Sequence, residues 1–323
     1  MKKELEFIGN SKKFFIISMS IIVLGLLCTV IFGVKLDIEF SGGTMLTYVY
    51  EGEIDPDAFK ASAEEFLGGT EVSVNTGTDF TSGKNKIQIE VNSKEGLNSD
   101  GQYELTQKLG EAYAVNSPEL VESSDVSPSS GRTFFLKCLV AVVFSSVVLV
   151  IYIAVRFKNI GGWLAGVCAV IALFHDIFVV YAVFVIFRMD IDANFMAVVL
   201  TILGYSINDT IVIYDRIREN QRLLKKEKLT LAQLTNKSIN QSLRRSIYTS
   251  ITTVMAMLTV SVVALIFGAD SIISFSFPVM IGMISGTYSS VCVSGPLWVY
   301  FENKRSGKNN GSGAKAKAKK VNA

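Results

Sequence analysis

Asn208, Asp209, Asp215 and Arg216 stand directly behind the apolar run AVVLTIL (197–203), within GYSINDTIVIYDRIREN at 204–220. Charged groups at the centre of a membrane helix cost about 2.5–3.5 kcal/mol each on insertion scales, so those that persist face a protein interior or a functional path. On a helix, Asp209, Ile213 and Arg216 share one face at i, i+4 and i+7, with Asn208 and Asp215 paired beside them. A polar stripe of this kind suits contact with other helices, not lipid. A further carboxylate, Asp176, follows His175 between VIALF and IFVVYAVFVI. Left unpaired in an apolar setting, such a group favours the neutral acid. Opposite Arg216 it favours the anion. Poised between the two, it can take up and release a proton, with His175 either relaying it or simply packing. Arg216 also reads as a boundary anchor, because Arg218 and Arg222 follow it.

No other chemistry is signalled. With one histidine, and no H-E-x-x-H, G-x-S-x-G, Walker motif or Cys/His cluster, the sequence gives no support to a hydrolase, kinase or metalloenzyme. No cofactor, no metal and no catalytic residue is expected. Cys28, Cys138, Cys168 and Cys292 all fall in apolar stretches, which indicates packing and not disulfides.

The elements that must position these groups are membrane spans. Half the residues are hydrophobic and the mean hydropathy is +0.40. A span needs roughly 20 mainly apolar residues. The candidates are 14–34, 133–155, 162–187, 193–214, 246–268 and 272–301. The last is long enough to bend, at Pro278, Gly282, Gly286, Gly295 or Pro296. Gly282 and Gly286 form a GxxxG surface that should pack on the fourth or fifth span. Lys and Arg crowd alternate connections: Lys2, Lys3, Lys12 and Lys13; Arg156 and Lys158; the 215–245 loop; and Lys304, Arg305 and Lys308. By the positive-inside rule both termini are cytoplasmic and 35–132 lies outside. The first span is an uncleaved anchor, since no A-x-A-like site follows it. Within the basic loop, Gln221–Ser242 reads as an amphipathic helix on the cytoplasmic membrane surface. The tail from 302 to 323 is basic, of low complexity and expected to be disordered; a solvated tail is the favoured reading over contact with anionic membrane lipids or ribosomal RNA, and no nucleic-acid partner is expected.

Residues 35–132 change character to an α+β pattern. TMLTYVY (44–50) reads as a strand. Asp55-Pro56 caps a helix closed by Gly68-Gly69, and strands follow at 71–75 and 86–92. A second helix over 99–115 and a closing strand at 119–126 complete a β-α-β-β-α-β, ferredoxin-like order. DIEFSGGT (37–44) joins the first span to this domain, with Gly42 and Gly43 free to adopt positive φ or to let backbones approach closely.

Together these motifs resemble the SecF family of the bacterial Sec export machinery, a branch of the RND superfamily. GYSINDTIVIYDRIREN resembles its fourth-helix signature, and ALFHD (172–176) its third-helix motif. DIEFSGGT, SINQSLRRSIYTSITT (238–253) and GTYSSVCVSGP (286–296) match in order and position. The resemblance implies a non-enzymatic, polytopic protein of the bacterial inner membrane: half an RND-type transporter of six helices. It implies a SecD partner, association with the SecYEG channel and a YajC-like subunit, and an indirect link to SecA. The proton-motive force, or a sodium gradient, would promote translocation of an unfolded polypeptide after the SecA-driven step. Asp176 and Arg216 would belong to the ion path, with Asp209 and Asn208 in the same motif. Gly42, Gly43, Gly204, Tyr205, Ser206, Thr210, Asp215, Gly286 and Thr287 would serve as motif or packing positions. Tyr214 departs from the Phe of many relatives. Two other readings stay open: a structural subunit that conducts no ion, and half of a small-molecule RND exporter.

Overall fold

The computed structural model describes residues 5–70, 72–78, 84–91, 97–227, 229–267 and 269–305. Among these described residues, six helices are long and apolar enough to cross a membrane. They are α1 (Ser11–Phe32), α5 (Pro128–Arg156), α6 (Gly162–Ile186), α7 (Ala193–Leu223), α8 (Leu231–Phe267) and α9 (Asp270–Ser289). After α9 the chain passes through a π turn, Ser290–Ser294, and stays helical to Arg305. The π turn has a local cause. Pro296 has no N–H to give to the carbonyl of Cys292, and its ring crowds that carbonyl, so the turn before it widens. The irregularity therefore sits ahead of Gly295-Pro296, while Pro278 lies inside regular helix.

Helices α6 and α7 form the centre of the bundle, carrying Ala165, Cys168, Ala169, Val180, Phe184, Val198, Ile202, Ile213 and Tyr214 into its core. The outward faces of α1, α5 and α8 remain apolar and exposed, as at Val30, Phe144 and Ile266, which suits contact with lipid tails. Small residues set the closest approaches. A Cβ on Gly282 would lie 2.7 Å from Ile202 side-chain atoms and 2.9 Å from Val180, and one on Gly286 would lie 2.9 Å from Cβ of Ser206. The GxxxG surface thus packs α9 against both α6 and α7.

The separate surface helix expected over Gln221–Ser242 does not exist as such. Its first part extends α7 to Leu223 and its last part begins α8 at Leu231, with a short turn (Lys225–Glu227) between them. Leu234 and Ile239, which read as membrane-facing, are buried in the bundle core. Side chains of Asn236 and Asn240 on this part of α8 also hold the start of the chain. Asn236 Oδ1 accepts from Phe7 N–H at 2.8 Å, and Asn240 Oδ1 accepts from Leu5 N–H at 3.0 Å. The tail, 306–323, lies outside the described residues.

Between α1 and α5 stands an α+β domain entered through a one-turn helix, α2 (Ile38–Ser41). Its order is β1 (Gly43–Tyr50), α3 (Pro56–Phe66), β2 (Val72–Thr78), β3 (Asn85–Val91), α4 (Ser99–Ala112), β4 (Glu119–Val126). The antiparallel sheet runs β2-β3-β1-β4, so the two β-α-β halves interleave as a split βαβ. Asp55 accepts from Asp57 N–H and Asn98 from Gly101 N–H, which starts both helices where orphan donors need acceptors. Alternation sends Leu46, Tyr48, Ile87 and Ile89 to the face covered by Phe59, Leu105 and Leu109. Gly42 and Gly43 have φ of +82° and +149°. A Cβ on the first would meet Pro128 Cα at 2.6 Å, and one on the second would collide with Val91 O.

Candidate functional site

Asp176 is fully buried at the meeting of α6, α7 and α9. Three hydroxyls converge on its carboxylate. Ser285 Oγ donates to Oδ1 at 2.6 Å, and Ser206 Oγ and Ser289 Oγ each donate to Oδ2 at 2.7 Å. Helix periodicity makes this possible. Ser285 and Ser289 are one turn apart on α9, and Gly286 between them lets α9 close on Ser206 of α7. His175 Nδ1 lies 3.2 Å from Oδ1, and its buried Nε2 has no hydrogen-bond partner among the described residues.

Asp209, also buried, sits one turn further along α7 from Tyr205 and Ser206. Thr287 Oγ1 donates to its Oδ2 at 3.3 Å, and Thr287 also pairs with Ser250 Oγ, which accepts from Tyr205 Oη at 3.2 Å. Beyond it, Thr210 pairs with Ser290 and Tyr214 with Ser294, each at 2.8 Å, between α7 and the π turn. No Lys or Arg nitrogen lies within 4.0 Å of either carboxylate among the described residues. Each acid is therefore held by hydroxyl dipoles without a fixed cation. Three serine hydroxyls thus fill acceptor positions on the Asp176 carboxylate.

The expected opposition of Asp176 and Arg216 is not present. Arg216 lies ten residues beyond Ser206, about 15 Å along the helix, and binds Gln241 Oε1 at 2.7 Å and the Glu219 carboxylate. Its long, polar-ended side chain follows the last turns of α7 out of the core, where partners of its own charge chemistry are available. Asp215 pairs with Arg156 and Arg218 at the same end. Asn208 occupies a different face again. With Ala197, Thr201 and Gly204 it forms an exposed stripe at i, i+4, i+7 and i+11, and a Cβ on Gly204 would meet nothing within 4 Å. Gly42 and Gly43 stand apart from all of these, at the root of the α+β domain.

Ser285 and Ser289 of this candidate site are not among the residues singled out by the sequence. Their i, i+4 spacing around Gly286 was the available signal.

Residues 106–304 match the family described as protein export membrane protein SecD/SecF, C-terminal region. The chain belongs to the SecD/SecF family. It is 33% identical over 309 residues to protein translocase subunit SecF of Alicyclobacillus acidocaldarius, covering 94% of this chain and 95% of that one. It is 31% identical to protein translocase subunit SecDF of Bacillus subtilis over 93% of this chain but only 38% of that longer protein. The crystal structure of SecDF, a translocon-associated membrane protein from Thermus thermophilus, superposes with a TM-score of 0.77 at 28% identity. It covers 94% of this chain and 39% of that one. Among SecD/SecF relatives, then, the chain is similar to SecF along nearly its whole length and to one part of the fused SecDF chains.

Proposed function

We propose that this SecD/SecF chain is a SecF-type accessory subunit of protein export that pairs with a SecD subunit and couples an ion gradient to translocation. The observation that carries the reading is Asp176: buried, held by three hydroxyls from two neighbouring helices, and without a fixed cation. Binding a proton there turns an acceptor-only carboxylate into a neutral acid with one O–H donor, and binding sodium occupies oxygen lone pairs that the serines now use. That loosens the tie of α6 to α7 and α9. One elementary charge crossing 100 mV is worth about 2.3 kcal/mol, enough to bias two conformations a few kcal/mol apart. Asp209 with Thr287 extends the polar path, and Arg216 ends it at the basic face of the bundle. His175 stands ready to relay a proton.

The uncovered stripe of Asn208 and Gly204 supports a SecD helix as partner. The alternate basic connections support cytoplasmic termini and an outer α+β domain in the inner membrane. SecYEG, SecA and a YajC-like subunit follow from the family setting, as does an unfolded polypeptide as client. The chain acts without enzymatic chemistry of its own.

The test uses vesicles containing this chain, its partner and the translocation channel, with a secretory protein arrested midway. Wild type should complete export faster with a gradient than without. Asp176→Asn should copurify with the partner yet lose that difference. Gradient-dependent completion by an assembled Asp176→Asn complex would make the three-serine cradle a helix tether only.

A further inference from the structure

The α+β domain does not hang from the bundle by its two chain connections alone. Residues 35–37 run beside the α6–α7 connection and form a short parallel bridge with it, Leu36 to Ile191. Ile191 N–H donates to Lys35 O at 2.9 Å, and Asp37 N–H donates to Ile191 O at 3.2 Å. The next turn, α2, is a fixed block. Asp37 caps it through Glu39 N–H at 2.7 Å. Phe40 is buried against Phe134 and Phe135 of α5, with ring centroids 5.5 and 5.4 Å apart. A Cβ on Gly131 of α5 would lie 2.9 Å from Phe40 O.

From this block one side chain reaches across to the bundle's central helix. Glu39 Oε2 accepts a hydrogen bond from Ala193 N–H, the first residue of α7, at 2.9 Å. Asp192, the N-cap, accepts from Phe195 N–H at 3.0 Å. The start of α7 is thus capped twice, once from its own chain segment and once from the root of the domain. A carboxylate there meets both an orphan N–H and the positive end of the helix dipole. α7 is unbroken from this point to Ser206, the residue that touches Asp176. The 13 helical steps from one to the other span about 20 Å. A shift or rotation of α7 at Ser206 therefore arrives at Ala193 undiminished by any hinge.

We propose that Glu39 is a positioning residue that transmits movement of α7 to the α+β domain, by tying α2 to the α7 N-terminus beside the Leu36–Ile191 bridge. This rests on the ion-coupled reading of Asp176 given above. Glu39 touches neither ion nor client. It determines whether the domain follows the helix.

The experiment uses the complex of this chain with its partner in liposomes and reads two quantities under an imposed proton gradient: ion flux, and the distance between fluorescent amino acids at Glu65 on α3 and Ser271 on α9. Wild type should show both a flux and a gradient-dependent change in distance. Glu39→Ala should keep the flux and lose the distance change. Glu39→Gln keeps an amide oxygen able to accept from Ala193 N–H and should keep both. Ile191→Pro, which removes the N–H given to Lys35, should resemble Glu39→Ala and serves if that variant assembles poorly. A wild-type distance change in Glu39→Ala and Ile191→Pro would overturn transmission through this tie. So would flux and distance change failing together, because Glu39 would then belong to the ion path or the fold. Asp176→Asn separates the two ideas: if it keeps the distance change, the ion-coupled reading itself fails.

Discussion

Glu90 on β3 offers a sharp physical test, because a carboxyl is buried there on the sheet face opposite Ile87 and Ile89. It is 2% exposed. Gln88 Nε2 and Asn75 Nδ2 donate to it at 3.1 and 3.4 Å. Burial outweighs these donors, with Asp37 and Asp190 adding repulsion and Lys35 opposing it, so its pKa is pushed up from 4.5 to about 7. A carboxyl raised on folding stabilises the fold while it is protonated. That stability is fully present below pH 4.5 and is lost as pH rises through about 7. Between pH 6 and pH 8 the protonation factor falls from about 11 to about 1.1, a tenfold loss worth ~1.4 kcal/mol. Asp37, pushed up to about 6 chiefly by burial, adds at most about a factor of two over the same interval. The assay is amide hydrogen exchange of the β3 segment in the intact chain, held in lipid nanodiscs at pH 6, 7 and 8 and corrected for intrinsic exchange rates. Protection should fall about ten- to twentyfold from pH 6 to pH 8 in wild type and by about twofold or less in Glu90→Gln, the neutral mimic. Equal pH slopes in the two proteins, or protection that rises with pH, would refute the reasoning.

Other substitutions have equally definite expectations. Gly286→Ala places a Cβ 2.9 Å from that of Ser206; overpacking of this kind costs about 1–3 kcal/mol, and the melting temperature of the purified protein in detergent should fall. Ser285→Ala and Ser289→Ala each remove one donor from Asp176, and hydrogen bonds within membranes average about 0.6 kcal/mol; both variants should assemble, while the gradient-dependent step of export slows. Gly42→Ala meets Pro128 and requires φ of +82°; left-handed backbone alone costs a side-chain-bearing residue roughly 1–2 kcal/mol, so limited proteolysis should cut near the domain root faster than in wild type. Asn208→Leu leaves every side-chain hydrogen bond among the described residues intact but alters the uncovered face, and should weaken copurification with the partner.

What was legible in the sequence was what rests on local rules. The long apolar segments could only be helices at membrane depth, and Asp55-Pro56 and the alternation in 86–92 announced the α+β order. The polar stripe of helix α7 was also legible, since helical period alone separates Asp209 from Asn208. The cradle of Asp176 was not, because its donors come from residues 206, 285 and 289 on two other helices, and serines at i, i+4 are common in membrane helices. Spacing equally could not say that Arg216 would find Glu219 and Gln241 before it could reach Asp176. The apolar face of Gln221–Ser242 misled for a related reason. An amphipathic face seeks any apolar surface, and here Leu234 and Ile239 met the bundle before the bilayer. Glu39 gave no sign at all, as its partner is a backbone N–H 154 residues away.

The central claim is that Asp176 carries the coupling ion, and its most direct test is ion flux through the assembled complex in liposomes under an imposed proton or sodium gradient. Wild type and an Asp215→Asn control, altered only at the Arg156 and Arg218 pair, should conduct alike. Asp176→Asn, with its three serines still in place, should reduce the flux to that of empty liposomes. Wild-type flux in an assembled Asp176→Asn complex would contradict the claim.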